Sequence, residues 1–292
     1  MKFTSMQEYI KIREYKDTDY PVILLFPHSG RQYFKDFLKS LKVSEEELRV
    51  SEDAYLDYLF SECINQEINS LYANFPRVFV DVNRDPLELD NRDFKNYPND
   101  VTFKDSRLAR SGIGLIHTRS VNGKLFYKEK LDWKVYLSRM NKCYYPWYQN
   151  TEKLMHLLKN KYNEILIIDC HSMPSKEKNV NDKELGEFVV GDRDGNSCSA
   201  EISNYILNYF RQYNYNVSYN QPFSGQYFLK RFGSPKKGIN AIQLEIRKDL
   251  YMHEKNLDLK PNIDPLRIFL KDLVSEIGSF LYHRNRKNYA AE

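Results

Sequence analysis

Six short runs of aliphatic and β-branched residues punctuate the chain, and stretches with helical spacing of apolar positions lie between them. The runs cover residues 21–26, 77–82, 164–169, 187–190, 216–219 and 239–246, and each reads as a strand. Ser44-Glu45-Glu46-Glu47 has the capping-box pattern that opens a helix. Further helices are predicted over about 52–66, over 133–161 with a bend at Pro146, over 199–213 and over 265–282. Residues 89–105, rich in Asn, Asp and Pro, read as a long irregular loop. Strands alternating with helices predict an α/β sandwich around a mainly parallel or mixed sheet. No repeat, Gly/Ser linker or low-complexity tract interrupts the pattern, so residues 1–292 are expected to form a single domain.

In sheets of this class, ligands sit beyond the carboxyl ends of strands, so the residues following each run are where chemistry is sought. The first run ends in Pro27-His28-Ser29-Gly30, and the third runs through Asp169-Cys170 into His171-Ser172-Met173-Pro174. The chain has only six histidines, and two of them fall at strand ends. Strand alternation puts Asp169 on the same face as His171, where it can orient the imidazole. Two histidines and one more ligand make a catalytic zinc site with a fourth position open for water. Glu52-Asp53-Ala54-Tyr55-Leu56-Asp57 offers carboxylates for that place; the plainer reading is acidic charge at a helix start. Arg84, after the run 77–82, can clamp a substrate carboxylate or pair structurally with Asp81 or Asp85. In Gln243-Leu244-Glu245-Ile246-Arg247 every second residue is polar. A carboxylate in such a strand is paired, metal-bound or catalytic unless the strand is an edge facing solvent. Glu245 suits the general base that takes a proton from the attacking water and hands it to a leaving amine. The loop Gly191-Asp192-Arg193-Asp194-Gly195-Asn196-Ser197 reads equally as a plain turn or as a wall of the site.

Taken together, Pro27-His28-Ser29-Gly30, Ser51-Glu52-Asp53-Ala54, Val80-Asp81-Val82-Asn83-Arg84, Asp169-Cys170-His171-Ser172-Met173-Pro174-Ser175, Gly191-Asp192-Arg193 with Cys198, and Gln243-Leu244-Glu245-Ile246 followed by Leu250-Tyr251-Met252 resemble the N-formylglutamate amidohydrolase family. That family is distantly similar to zinc carboxypeptidases and aspartoacylase-type deacylases. The resemblance spans about residues 21–254. It implies a phosphorylase/hydrolase-like three-layer α/β sandwich, with a mixed central sheet flanked by helices. It implies one zinc ion (Zn2+) per chain, held by His28, His171 and a carboxylate of Glu52-Asp53, with Asp53 favoured. It further implies that Glu245 is the catalytic glutamate and that Asn83 and Arg84 bind a substrate carboxylate. Two departures stand out: Pro146-Trp147-Tyr148, where relatives often read Pro-Tyr-His, and Arg231, where they often carry histidine before an aromatic-Gly pair.

Charge and composition narrow the alternatives. The 44 basic and 40 acidic residues are interleaved, for a net charge of +4, so no basic stripe marks a nucleic-acid binder. The run His283-Arg284-Asn285-Arg286-Lys287 reads as a solvated helix end. The first eight residues contain no apolar signal core, and the longest aliphatic strand-like run, Val22-Ile23-Leu24-Leu25-Phe26, falls far short of the ~20 residues of a bilayer span. The cysteines, at positions 63, 143, 170 and 198, form no C-x-x-C pair, as suits a reducing cytoplasm; Cys170 reads as core filler. The expectation is a cytoplasmic zinc hydrolase of an N-formyl or other N-acyl amino acid, a small anionic substrate, with no nucleic-acid or membrane partner. The competing readings are a zinc carboxypeptidase-like amidase acting on a peptide or cell-wall fragment, and a non-catalytic binding protein of the same fold.

Overall fold

The structure, a computed structural model, describes residues 8–64, 66–177 and 183–289. β1 (Ile10–Arg13), β2 (Val22–Phe26), β3 (Asn69–Ala73), β4 (Ile165–Met173), β5 (Phe188–Gly191), β6 (Val217–Tyr219) and β7 (Ile239–Arg247) form one sheet in the order β1-β3-β2-β4-β7-β5-β6. β2 and β7 run parallel to β4, and β6 runs parallel to β5. β7 and β5 are antiparallel, so the sheet is mixed. Every residue of β2 and β4 is buried. Strands covered on both faces need continuous apolar runs, which is why these two are so plain in the sequence.

The described residues fall into two compact units made of interleaved segments: 8–11, 27–54 and 72–151 in the first, 12–26, 55–71 and 152–289 in the second. In the first unit, α1 (Trp133–Arg139) leads through a π-helical turn, Met140–Tyr144, into α2 (Tyr145–Lys159), whose later turns belong to the second unit. Pro146 falls in the first turn of α2, directly after this π-helical turn, and the helix continues through it. The second unit carries most of the sheet, with α3 (Ala200–Gln212) beside β6 and α4 (Asp264–Tyr289) packed on α3. The capping box at Ser44 is realised in full, with both of its reciprocal hydrogen bonds present.

Three expectations about local structure change. Residues 77–82 form no strand: Phe79 N–H donates to Pro76 O, Asp81 N–H donates to Leu115 O, and Arg77 reaches Asp81 at 2.8 Å. Turns and side-chain bonds satisfy this backbone in place of a ladder. The helix predicted over 52–66 is reduced to Leu56–Leu59 and Ser61–Ile64. Tyr55 adopts φ +64°, so Asp53 precedes the helix and does not share a helical face with Asp57. β3 lies in a stretch with no strand signal, because its first residues, Asn69 and Ser70, are polar yet buried. Asn69 meets that cost by accepting from Tyr15 N–H at 2.8 Å and donating to Tyr15 O at 3.3 Å. All four cysteines are free and buried. Among the described residues no helix is long and apolar enough to cross a membrane.

Candidate metal centre

The turn after β2 is set by close backbone approach. A Cβ on Gly30 would lie 2.2 Å from Phe75 O and 2.6 Å from Ala73 O, so only glycine passes there. His28, two residues earlier, is buried, and its carbonyl accepts the Asp53 N–H at 3.0 Å. The backbone therefore delivers Asp53 to the histidine: His28 Nδ1 lies 3.4 Å from Asp53 Oδ2. The other ring nitrogen, Nε2, lies 2.7 Å from Asp81 Oδ1. Asp81 also accepts from Arg77 Nη2 at 2.8 Å and from Asn83 N–H at 2.9 Å. Burial opposes its ionisation, but the charges of His28, Arg77 and Arg84 hold its carboxyl well below the usual carboxylate range. His117 Nε2 sits 3.6 Å from Asp81 Oδ2, and burial pushes this imidazole down to about 4. Glu52 points elsewhere: it accepts from Tyr33 OH at 2.7 Å and lies 3.5 Å from Arg49 Nε.

In the second unit, β4 extends past the predicted strand end to Met173, so His171 lies inside the strand and not beyond its tip. It does so because β7 pairs with β4 along its full length, aligning Gln243 with Asp169 and Glu245 with His171. Paired positions of parallel strands project to the same face, so all four side chains share one face. His171 Nε2 lies 2.9 Å from Asp169 Oδ2, the pairing that strand alternation predicts. Gln243 Nε2 donates to Glu245 Oε1 at 2.7 Å. β7 lies between β4 and β5, and Glu245 is only 6% exposed, which removes the reading of a solvent-facing edge strand. Arg247 turns to Asp249 and Glu184 instead.

His28, Asp53 and His171 each offer one ligand atom, and these atoms lie within 4.8 Å of one another. Each histidine presents one nitrogen to a buried aspartate, Asp81 or Asp169, leaving the other for a ligand bond. A carboxylate behind the imidazole is the usual support of a metal-ligating histidine, because it fixes the tautomer and the ring orientation. Two imidazoles and one carboxylate suit zinc and leave a coordination position open. The donor set and its supports therefore fit a divalent ion.

Asn83 and Arg84 are buried in the first unit. Arg84 Nη1 donates to Asn83 O at 3.1 Å, while its Nε has no hydrogen-bond partner. Neither structural pairing expected for Arg84 forms: Asp81 takes Arg77, and Asp85 takes Lys104 at 3.2 Å. Among the described residues no carboxylate reaches ion-pair distance of Arg84. Its charge acts on the Asp81 carboxylate from beyond that distance, and its Nε–H remains without a hydrogen-bond acceptor.

The 191–197 loop and Arg231 make contacts within the second unit. Asp192 accepts from Tyr219 OH, Ser203 Oγ, Asn220 Nδ2 and Gly195 N–H at 2.6–2.9 Å, which ties the 191–197 loop to β6 and α3. Burial raises its pKa, yet those hydrogen bonds bring it below the usual value. Arg231 lies 3.4 Å from Glu152. Sequence reasoning did not find Asp81 as the partner of His28, nor His117. Fifty-three positions separate Asp81 from His28, and no period or spacing connects them.

The N-formylglutamate amidohydrolase family profile matches residues 20–252. The chain is 23% identical to an N-formylglutamate deformylase of Pseudomonas putida, over 94% of this chain and 99% of that protein. It is 22% identical to an N-formylglutamate deformylase of Pseudomonas aeruginosa, over 84% and 87%. Among solved structures, the N-formylglutamate amidohydrolase of Ralstonia eutropha superposes with a TM-score of 0.87 at 26% identity, covering 94% of this chain and 99% of that one. A gene product of Agrobacterium tumefaciens superposes with a TM-score of 0.65 at 17% identity, over 95% and 98%, and shares the fold.

Proposed function

The chain belongs to the N-formylglutamate amidohydrolase family, and on that footing we propose that it hydrolyses the amide bond of an N-formyl amino acid, N-formylglutamate foremost, to formate and the free amino acid. The observation that carries this reading is the convergence of His28, Asp53 and His171, whose ligand atoms lie within 4.8 Å of one another. These three would hold one zinc ion. Zinc bound there supplies Lewis acidity, polarising the formyl carbonyl and lowering the pKa of a water to about 7.

The chain's own side chains do the rest. Asp81 and Asp169 hold the two imidazoles in orientation. Glu245 accepts the proton of the attacking water and returns it to the departing amine nitrogen, which leaves as the C–N bond breaks. Gln243 donates to Glu245 Oε1 and helps to orient the carboxylate. Arg84, with Asn83, receives a carboxylate of the substrate, which would give its unpaired Nε–H an acceptor.

A substrate panel tests the activity. Zinc-loaded protein is expected to give its highest kcat/KM on N-formylglutamate, ahead of N-acetyl and N-succinyl amino acids and of dipeptides. Hydrolysis of dipeptides without any deformylation would replace this reading with the carboxypeptidase-like one. Arg84→Ala is expected to raise KM for N-formylglutamate roughly 10- to 150-fold and leave zinc in place. That range follows from the ~1.5–3 kcal/mol of a charge-assisted hydrogen bond. An equal fall in kcat/KM for a substrate whose carboxylate is amidated would make Arg84 structural.

We further propose that the two units unfold together as one domain, since neither is a continuous stretch of chain. Thermal unfolding followed by calorimetry is expected to show one transition with equal calorimetric and van't Hoff enthalpies. Two resolved transitions would separate the units.

A further inference from the structure

Residues 82–86 carry Asn83 and Arg84 but belong to no strand, so their carbonyls have no ladder partner. Three buried tyrosines supply the missing donors. Tyr148 OH donates to Val82 O at 2.7 Å, Tyr144 OH to Arg84 O at 2.8 Å, and Tyr136 OH to Pro86 O at 3.2 Å. Alternate carbonyls of the segment thus each receive one phenol. The Tyr144 and Tyr148 rings pack with centroids 4.7 Å apart, which limits the freedom of both hydroxyls. Arg139 extends the series to Phe79 O at 2.7 Å.

These donors lie on α1, the π-helical turn and α2. In an uninterrupted α-helix the steps from Tyr136 to Tyr144 would rotate Tyr144 by about 80° away from Tyr136. The π-helical turn, Met140–Tyr144, winds more residues per turn and removes much of that offset. It therefore lets tyrosines before and after it address one segment of backbone. This gives the departure at Tyr148 a use: its hydroxyl reaches Val82 O.

We propose that Tyr144 and Tyr148, assisted by Tyr136, are positioning residues that set the backbone of Asn83–Arg84 and thereby the selectivity for an anionic end of the substrate. The proposal rests on Arg84 being the carboxylate clamp. The tyrosines act through the segment that carries the guanidinium. Tyr→Phe keeps the ring packing and removes only the hydroxyl, leaving a buried carbonyl without its donor.

The test compares wild type with Tyr144→Phe, Tyr148→Phe and the double variant on N-formylglutamate and its two mono-amides. The double variant is expected to raise KM for N-formylglutamate about tenfold, with kcat within about twofold of wild type. On the mono-amide that Arg84→Ala leaves unaffected, its KM is expected to stay unchanged. An equal fall in kcat/KM on all three substrates would mark a general scaffold role and overturn the proposal, as would an unchanged KM. Failure of the functional reading is seen separately, in a wild-type protein that hydrolyses none of the three. Calorimetric binding of glutarate needs no turnover: weaker binding in the double variant, as in Arg84→Ala, supports the positioning role, and wild-type affinity overturns it.

Discussion

Glu245→Gln is expected to lower kcat by about 10²–10⁴-fold, the usual contribution of a positioned general acid–base, while fold and zinc content stay intact. The substitution is nearly isosteric and keeps a hydrogen-bonding partner for Gln243. Glu245 sits on an interior strand in register with His171, buried, with Gln243 on one of its oxygens. A carboxylate so placed has few structural reasons to exist, because burying an anion costs several kcal/mol unless the charge is used or compensated. Stopped-flow or steady-state turnover on N-formylglutamate, with zinc measured on the same sample, decides the matter. Near-normal turnover in the Gln variant would remove Glu245 as the base. Loss of zinc would make it a ligand and require the metal set to be redrawn.

His28→Ala and His171→Ala are each expected to lose most of their zinc and to lower activity by about 10³-fold or more. That magnitude follows from the several kcal/mol of transition-state stabilisation that a Lewis-acidic metal supplies. The fold should survive the His28 change, because Asp81 keeps Arg77 and the Asn83 N–H as partners and is not left as an isolated buried anion. Elemental analysis of the purified variants, beside circular dichroism, is the measurement. Full zinc retention in both would refute the ligand assignment. The same analysis separates the two adjacent carboxylates. Asp53→Ala should lose zinc, whereas Glu52→Ala should keep it, since Glu52 is engaged by Tyr33 and Arg49. Burial shifts the Glu52 carboxyl upward.

The sequence by itself determined whatever rests on local period. β2, β5 and the first part of β4 were legible because strands in a covered sheet need unbroken apolar runs, and an unbroken run has few other uses. The pairing of Asp169 with His171 was legible because alternation puts residues two apart on one face. Glu245 was visible as a polar interruption of an apolar strand, and the ordered series of short motifs was enough to place the chain in its family. Tertiary structure alone decided the rest. It set Asp53, which the family resemblance already favoured, beside His28 through a backbone bond, and turned Glu52 to Tyr33 and Arg49. It paired Asp81 with His28, left Arg84 Nε without a hydrogen-bond partner, made a strand of Asn69–Ala73 and turns of 77–82, and brought phenols from the π-helical turn and the helix after it to alternate carbonyls of another segment. The physical reason is the same in each case. Hydrophobic burial is non-directional and repeats with the backbone's own period, so it leaves a trace along the chain. A buried polar group must find a partner somewhere in three dimensions, and the separation of that partner in sequence is set by no period at all.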